Sequence, residues 1–282
     1  MLEFLKVLLL GIVEGVTEWL PISSTGHMIL LDELIRLNVT EEFMKMFRVV
    51  IQLGAIMAVV VLFWHKIWPF HRLNPKAKGV GRYASRKKLA LWVRILVSCL
   101  PAVIIGLPFD DWIDEHFYNY VVVAVMLIVY GVLFIIVENR NKNQEPLITS
   151  LTQIDYTTAL LIGAFQVLAL IPGTSRSGAT ILGGILLGMN RKTASEYTFF
   201  LAVPVMFGAS LLKIVKYGLH FTGLELAYLL FGMAVAFVVS IIVIRFLMNY
   251  IRRHDFKVFG WYRIALGALV LAFFLIRGAL TA

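Results

Sequence analysis

The sequence is poor in cysteine and in charged residues. One cysteine, Cys99, is present among 282 residues, so no disulfide can form within the chain. Charged residues make up 15% of the chain, whereas a soluble domain usually carries about a quarter. Apolar residues take their place, at 60% of the chain with a mean hydropathy of +0.85. This composition excludes an ordinary soluble globular domain and predicts a protein of the lipid bilayer.

Acidic residues are also scarce, at 17 against 26 lysines and arginines, which gives a net charge of +9. We expect no nucleic-acid partner, because the basic residues lie in loops between apolar segments, where they orient a membrane protein. The segment 66–88 carries eight basic residues and no acid, which predicts that it is cytoplasmic. The acidic loop 110–115 then faces outside. The eight are Lys66, Arg72, Lys76, Lys78, Arg82, Arg86, Lys87 and Lys88.

Six apolar segments are long enough to cross a hydrocarbon core of about 30 Å as helices. They are residues 43–65, 89–107, 119–137, 195–217, 223–246 and 258–279. The sequence therefore predicts an all-α integral membrane protein, a single multi-pass domain over residues 1–282.

Two further apolar segments, 2–37 and 156–191, are interrupted by clusters of Pro, Ser and Gly. An apolar helix, such a cluster and a second short helix are typical of a re-entrant helix–loop–helix segment. Their sequences resemble each other, with Gly163-Ala-Phe-Gln166 matching Gly11-Ile-Val-Glu14, and three spans follow each copy. We therefore expect an inverted repeat, about 2–137 and 156–280, whose two broken tips meet near the middle of the membrane.

Glu14 and Glu18 are four residues apart in an apolar helix, so they project from one face. Two neighbouring carboxylates in the membrane must be compensated. A divalent cation, a shared proton or a basic group opposite them would each do so. A purely structural interpretation is that one carboxyl is protonated and bonds a neighbouring helix.

The first tip continues from Pro21 to the run Ser23-Ser24-Thr25-Gly26-His27. Hydroxyls and free N–H groups at the start of a helix favour an anion. Each residue alone is explained as well by helix capping or packing. Together with the two glutamates, the run predicts a nucleophile, a proton carrier and metal ligands.

The second tip carries Arg176 at membrane depth, within the run Pro172-Gly173-Thr174-Ser175-Arg176-Ser177-Gly178-Ala179-Thr180. A guanidinium surrounded by hydroxyls and glycines suits a phosphate. The alternative is a salt bridge from Arg176 to Glu14 or Glu18.

These two motifs, with Val50 to Gly54 and Ala194 to Phe199, resemble the undecaprenyl-diphosphatase family, also called bacitracin-resistance proteins. The resemblance spans essentially the whole chain. It implies hydrolysis of the lipid undecaprenyl diphosphate to undecaprenyl phosphate and phosphate, which recycles the carrier lipid of cell-wall synthesis. It further implies a bacterial plasma-membrane location and a site that faces the extracytoplasmic side.

The resemblance also implies a divalent cation, Mg²⁺ or Ca²⁺, at Glu14 and Glu18. We expect Ser24 to be the nucleophile, His27 the proton carrier and Arg176 the phosphate clamp, although a phosphohistidine or direct attack by water stays open. Further expected contacts to phosphate are Ser23, Thr25, Gly26, Gly173, Thr174, Ser175, Ser177 and Thr180.

Two other functions are alternatives to hydrolysis by this family. Type 2 phosphatidic-acid phosphatases share a loosely similar Ser-Gly-His pattern, but they carry a histidine six residues after the arginine, where this chain has Leu182. A lipid transporter or flippase is the main alternative, because inverted repeats with broken helices are transporter architecture. The sequence leaves the oligomeric state open, a homodimer included.

Overall fold

The computed structural model describes residues 1–70, 81, 83–218 and 220–281. The described residues form twelve α-helices and no strand. In chain order these are α1 (Leu2–Thr17), α2 (Ser24–Leu34), α3 (Glu41–Val50), α4 (Gln52–Leu62), α5 (Trp64–Ile67), α6 (Arg86–Phe117), α7 (Tyr120–Asn141), α8 (Tyr156–Val167), α9 (Arg176–Leu186), α10 (Arg191–Tyr217), α11 (Gly223–Tyr250) and α12 (Lys257–Thr281). Short 3-10 turns lie at Leu151–Gln153 and Leu168–Leu170.

The predicted all-α membrane protein with six spans is confirmed. Among the described residues, six stretches are long and apolar enough to cross a membrane. They are Glu41–Leu62, Arg86–Phe109, Tyr120–Asn141, Arg191–Tyr217, Gly223–Tyr250 and Lys257–Ala279.

Two boundaries differ from the prediction. The first span is interrupted at Ile51 and ends at Leu62, because residues 64–67 form a separate short helix. Helix α6 continues through Pro101 and Pro108 to Phe117, so the acidic stretch 110–115 is a helical extension beyond the span and not a loop. Prolines are tolerated within membrane helices because neighbouring groups satisfy the freed carbonyls.

Both predicted breaks are present, between α1 and α2 and between α8 and α9. The first helix ends at Thr17, four residues before Pro21. Glu18 nevertheless keeps helical angles as the C-cap, and its N–H bonds the carbonyl oxygen of Glu14 at 3.0 Å. The two carboxylates therefore still share one face.

The helices pack in matching pairs around these segments. Helix α1 packs on α11 and α8 on α6, while α7 packs on α12. Gly11 and Gly15 allow the first of these contacts, since an added Cβ would lie within 3.0 Å of α11 atoms.

Four of the eight basic residues of 66–88, namely Arg72, Lys76, Lys78 and Arg82, lie outside the described residues.

Candidate active site

The two broken segments meet at a buried arginine of α12, Arg263, whose side chain is 0% exposed. Its Nη1 donates to the carbonyl oxygen of Pro21 in the first loop at 3.2 Å. Its Nη2 donates to the carbonyl oxygens of Gly173 and Thr174 in the second loop, at 2.8 Å each. The guanidinium also lies 5.4 Å from the ring centroid of Tyr130. Arg263 thus holds both loops at one point while the carbonyls compensate its buried charge.

The second helix of each segment is preceded by a serine N-cap with the same strained backbone. Ser23 and Ser175 both have φ of 71°, which is uncommon for residues other than glycine. Each serine Oγ accepts from the N–H three residues later, of Gly26 at 3.4 Å and of Gly178 at 3.2 Å. Strained backbone of this kind is frequent at functional sites, and here it occurs at both tips.

One carboxylate links the two tips. Glu18 Oε1 accepts from Arg176 Nη2 at 3.1 Å, and Oε2 accepts from Ser24 Oγ at 3.3 Å. Ser177 Oγ donates to the main-chain oxygen of Glu18 at 3.1 Å, and Arg176 Nη1 donates to that of Thr198 at 3.0 Å. The salt bridge considered for Arg176 is therefore present, and Ser24 shares its carboxylate.

Glu14 lies one turn before Glu18 and is 1% exposed, with the side chains of Gln52 and Glu18 beside it. Its Oε1 has no hydrogen-bond partner among the described residues. Within the same residues, no group of three or more His, Cys, Asp or Glu side chains is placed to hold a metal. Magnesium in phosphoryl-transfer sites is usually held by one or two carboxylates with substrate phosphates and water. The two glutamates fit that donor set.

His27 has both ring nitrogens in hydrogen bonds. Nδ1 lies 2.8 Å from the main-chain oxygen of Ser23, and Nε2 lies 2.7 Å from the hydroxyl of Tyr262, whose ring stacks on the imidazole. A carbonyl can only accept, so Nδ1 donates, and Nε2 of the neutral ring accepts from Tyr262. In the hydrogen bonds described, His27 reaches neither Ser24 nor Glu18.

The hydroxyls of the second tip form a chain behind Arg176. Thr180 Oγ1 donates to the main-chain oxygen of Arg176 at 2.8 Å and accepts from Thr198 Oγ1 at 2.9 Å. Ser175 Oγ and Ser177 Oγ are 3.2 Å apart. These contacts position the backbone that carries the guanidinium.

Two predicted phosphate contacts have a structural explanation of their own. Gly173 has φ of +92°, and an added Cβ would lie 2.5 Å from the main-chain oxygen of Val123 in α7. Gly26 is close to Leu127, whose Cδ1 would be 2.9 Å from an added Cβ. Close packing against α7 therefore favours glycine at both positions, whether or not phosphate is bound.

A cavity of about 650 Å³ reaches the first tip, where Glu14, Ser24 and Thr25 line it. We call it the tip cavity. Its outer part is lined by the cations Lys45, Arg48 and Lys213, with Glu115 and Tyr118 beside them. An anion that enters along this path meets positive charge before it reaches Ser24.

The structure brings together Glu14, Glu18, Ser24 and Arg176, as the motifs predict, and adds residues that the motifs missed. Arg263 was detectable as a cation six residues into an apolar span, a location that marks function by default. Gln52 and Thr198 lie within the stretches Val50 to Gly54 and Ala194 to Phe199 that carry the family resemblance, although neither was assigned to the site. Tyr262 carries no such signal, because an uncharged polar residue in a span is ordinary. The added residues are Gln52, Thr198, Tyr262 and Arg263.

Residues 7–269 match the family model described as bacitracin resistance protein BacA. The undecaprenyl-diphosphatase of Acetivibrio thermocellus is 61% identical over 98% of this chain and 99% of its own length. Undecaprenyl-diphosphatase 1 of Clostridium acetobutylicum is 60% identical over 98% of both chains. The undecaprenyl-diphosphatase of Enterococcus faecalis is 59% identical over 96% of both chains. The chain belongs to the BacA family of bacitracin resistance proteins.

Proposed function

We propose that this protein is an undecaprenyl-diphosphate phosphatase. It hydrolyses undecaprenyl diphosphate to undecaprenyl phosphate and inorganic phosphate, and so recycles the cell-wall carrier lipid and confers bacitracin resistance. Relatives of that name match the chain over nearly its full length. One observation carries the proposal: the Glu18 carboxylate bonds Ser24 through one oxygen and Arg176 through the other. Ser24 supplies a hydroxyl nucleophile, and Arg176 supplies a phosphate-binding group.

Ser24 attacks the terminal phosphorus of the diphosphate. A bond forms between Ser24 Oγ and that phosphorus, the anhydride P–O bond breaks, and undecaprenyl phosphate leaves. Glu18 Oε2 takes the hydroxyl proton, since it already accepts the hydrogen bond. Water then hydrolyses the phosphoserine and restores Ser24. The alternatives are direct attack by a water bound to Glu18 and attack by His27.

Arg176 clamps the phosphate. Its planar fork binds two phosphate oxygens at once, and a phosphate replaces Glu18 as the partner of the shielded cation. Substrate binding therefore frees Glu18 to accept the proton. Electrostatic stabilisation of this kind supplies most of the rate in phosphoryl transfer.

Glu14 and Glu18 would hold a divalent cation, Mg²⁺ or Ca²⁺. The unpartnered Oε1 of Glu14 supports this, because a buried carboxylate oxygen without a donor is available as a ligand. When bound, the cation would neutralise charge on the diphosphate oxygens.

His27 positions the nucleophile in this proposal. Its Nδ1–H holds the carbonyl of Ser23, next to Ser24. The role of proton carrier expected from the sequence requires Nε2 to leave Tyr262, and it stays a prediction.

We also propose that the two halves are an inverted repeat with two re-entrant segments. The matched packing of α1 on α11 and α8 on α6 supports this, as does the shared conformation of Ser23 and Ser175. The repeat mate of Glu14 is Gln166, nine residues before Ser175 as Glu14 is before Ser23. The carboxylate pair is thus confined to one half.

The tip cavity opens to the extracytoplasmic side in this proposal. Its outer residues Lys45, Glu115 and Lys213 lie toward the ends of their spans that are remote from Lys66, Lys87 and Lys88, the described basic residues nearest to the other cavity-lined end. The excess of basic residues in 66–88 marks the cytoplasmic side. Diphosphate on the outer leaflet would then reach Ser24 from its own side of the membrane.

Phosphate release by protein purified in detergent tests the activity, because no transport occurs without two compartments. We expect Ser24→Ala to lose about 100-fold or more in turnover. Ser210→Ala is the matched control, since Ser210 is a buried span serine whose hydroxyl bonds Val49 in the main chain. Turnover in Ser24→Ala close to that of the control would exclude the serine nucleophile. No phosphate release by the wild-type protein would favour the lipid transporter.

A further inference from the structure

A second cavity lies at the opposite end of the helix bundle, between α5, the first turns of α6, the 3-10 turn Leu151–Gln153 and the start of α10. We call it the basic cavity. Its volume is about 430 Å³, and its lining includes four hydroxyl side chains and five cations. The cations are Lys66, Lys87, Lys88, Arg94 and Lys192.

The basic cavity keeps a net positive charge. Glu196 is the one acid among its described lining residues, and both of its oxygens accept from Lys66 Nζ at 2.8 Å. Asp155 lies near enough to Arg94 to interact with it electrostatically. The remaining cations, with the hydroxyls between them, suit a phosphate group.

The position of Arg94 distinguishes this cavity from an ordinary basic loop. It lies eight residues after Arg86, about 12 Å along α6, where a cation is costly in a membrane span. Its guanidinium lies 5.9 Å from the ring centroid of Tyr156, and its Nε is buried with no hydrogen-bond partner among the described residues. The preference for basic residues in cytoplasmic loops does not account for an arginine at this depth.

An apolar cavity of about 370 Å³ is lined by residues of α4, α5, α6 and α10, and the last three of these helices also line the basic cavity. We call it the tryptophan cavity, because Trp64, Trp68 and Trp92 line it. Neighbouring residues alternate between the two cavities. Leu91 lines the basic cavity and Trp92 the tryptophan cavity, and Trp92 Nε1 donates to the main-chain oxygen of Ile67 at 2.7 Å between them. Tryptophan prefers this headgroup level of a bilayer.

The depth of the basic cavity matches a lipid headgroup. Lys192 lines it, and Lys213, on the same helix, lines the tip cavity. The 21 residues that separate the two lysines span about 30 Å of helix, the thickness of a hydrocarbon core. Lys192 and Lys213 are therefore at the headgroup levels of opposite leaflets, and Arg94 extends the basic cavity from its headgroup level into the span.

We propose that the basic and tryptophan cavities bind one anionic phospholipid of the leaflet opposite the tip cavity. The lipid phosphate lies among Lys87, Arg94 and Lys192, and an acyl chain lies against the three tryptophans. Charge complementarity selects an anionic headgroup, and the adjoining apolar cavity selects a lipid over a free anion. This site takes no part in hydrolysis, so the proposal of a lipid site can be tested independently of the phosphatase activity.

Native mass spectrometry of the purified full-length protein, titrated with phosphatidylglycerol or phosphatidylcholine, tests the site. The variant is Lys87→Gln/Lys192→Gln, which changes two exposed side chains and should fold normally. The matched control is Arg140→Gln/Arg253→Gln, two exposed cations that line none of the three cavities. We expect the variant to bind phosphatidylglycerol about tenfold more weakly than the control, with unchanged phosphatase turnover.

Three outcomes would overturn the proposal. Equal weakening in variant and control would mean general surface charge. Equal affinity of the wild-type protein for both lipids would remove the anionic selectivity. Binding of inorganic phosphate or undecaprenyl phosphate that displaces phosphatidylglycerol at lower concentration would assign the cavity to that anion.

Tryptophan quenching by brominated lipids gives a second readout on folded wild-type protein. At equal mole fraction, brominated phosphatidylglycerol should quench more than brominated phosphatidylcholine, because its chain contacts three tryptophans of the cavity. The difference should shrink to the contribution of Trp68 in Trp64→Phe/Trp92→Phe. It should persist in full in Trp261→Phe, which changes an exposed tryptophan of α12. A difference that the double substitution leaves undiminished would contradict the placement of the chain.

Discussion

Arg176 and Glu18 form a salt bridge across the two broken segments, with Arg176 Nη2 3.1 Å from Glu18 Oε1. Both side chains are largely shielded from solvent, so each is compensated mainly by the other. Ser24 bonds the second oxygen of the same carboxylate. In the proposed mechanism, a phosphate that binds Arg176 leaves the Glu18 carboxylate beside the Ser24 hydroxyl. The proposed mechanism therefore couples substrate binding to activation of Ser24.

Arg176→Lys tests the clamp. The ammonium group can still pair with Glu18, so we expect thermal stability close to wild type. It cannot bind two phosphate oxygens in one plane, so turnover of undecaprenyl diphosphate should fall about 100-fold or more. Turnover is measured by phosphate release in detergent and folding by thermal unfolding. Near-normal turnover would remove Arg176 from the clamp role.

Glu14→Gln and Glu18→Gln should differ in stability. Glu18→Gln weakens the partner of a shielded arginine, so we expect a lower melting temperature and a large loss of turnover. Glu14→Gln removes a buried carboxyl whose Oε1 has no partner among the described residues, so the melting temperature should hold or rise.

Metal titration separates the chemical roles of the same two variants. A neutral amide is a poorer ligand for a hard cation, so Glu14→Gln should need about tenfold more Mg²⁺ or Ca²⁺ for half-maximal turnover. An unchanged metal requirement in both variants would reassign the pair to proton handling or to structure.

Arg263→Gln tests the connection between the loops. The substitution leaves main-chain oxygens of Pro21, Gly173 and Thr174 without their donor, at about 1–3 kcal/mol for each unsatisfied group. We expect a lower melting temperature and a fall in kcat larger than the rise in KM, because the tips lose their relative position. Arg263→Lys should recover part of kcat, since it keeps the charge.

Arg245→Gln is the matched control for this experiment, because Arg245 is an exposed cation within α11. A purely structural Arg263 would lower the melting temperature and leave the kcat of the folded fraction unchanged. That result would contradict a positioning role.

Thiol labelling tests the side from which the tip cavity is reached. In a Cys99→Ala background, a cysteine at Ser24 or Tyr118 should react with a membrane-impermeant reagent outside intact cells. Ser150→Cys, at the opposite end of the bundle, is the control and should react only in inverted vesicles. The reverse pattern would overturn both the proposed orientation and the recycling of outer-leaflet diphosphate.

The sequence by itself predicted the six spans, the two helix breaks and the residues at both tips. These features are local: a span needs a run of apolar residues, and a break needs Pro, Gly and Ser within a few positions. The pairing of Glu14 with Glu18 follows from helical periodicity alone. For the same reason the span boundaries were correct to within a few residues, except where α6 continues through two prolines.

Only the tertiary structure decided which groups meet across the chain. The partner of Arg176 is Glu18, which is 158 residues away, and the sequence allowed Glu14 equally. His27 bonds Tyr262 across 235 residues, and Arg263 bonds Pro21 across 242. No local pattern encodes such contacts, because they depend on how helix packing brings the two broken segments and α12 together. The sequence therefore predicted the chemical groups at the tips, whereas helix packing determined their arrangement.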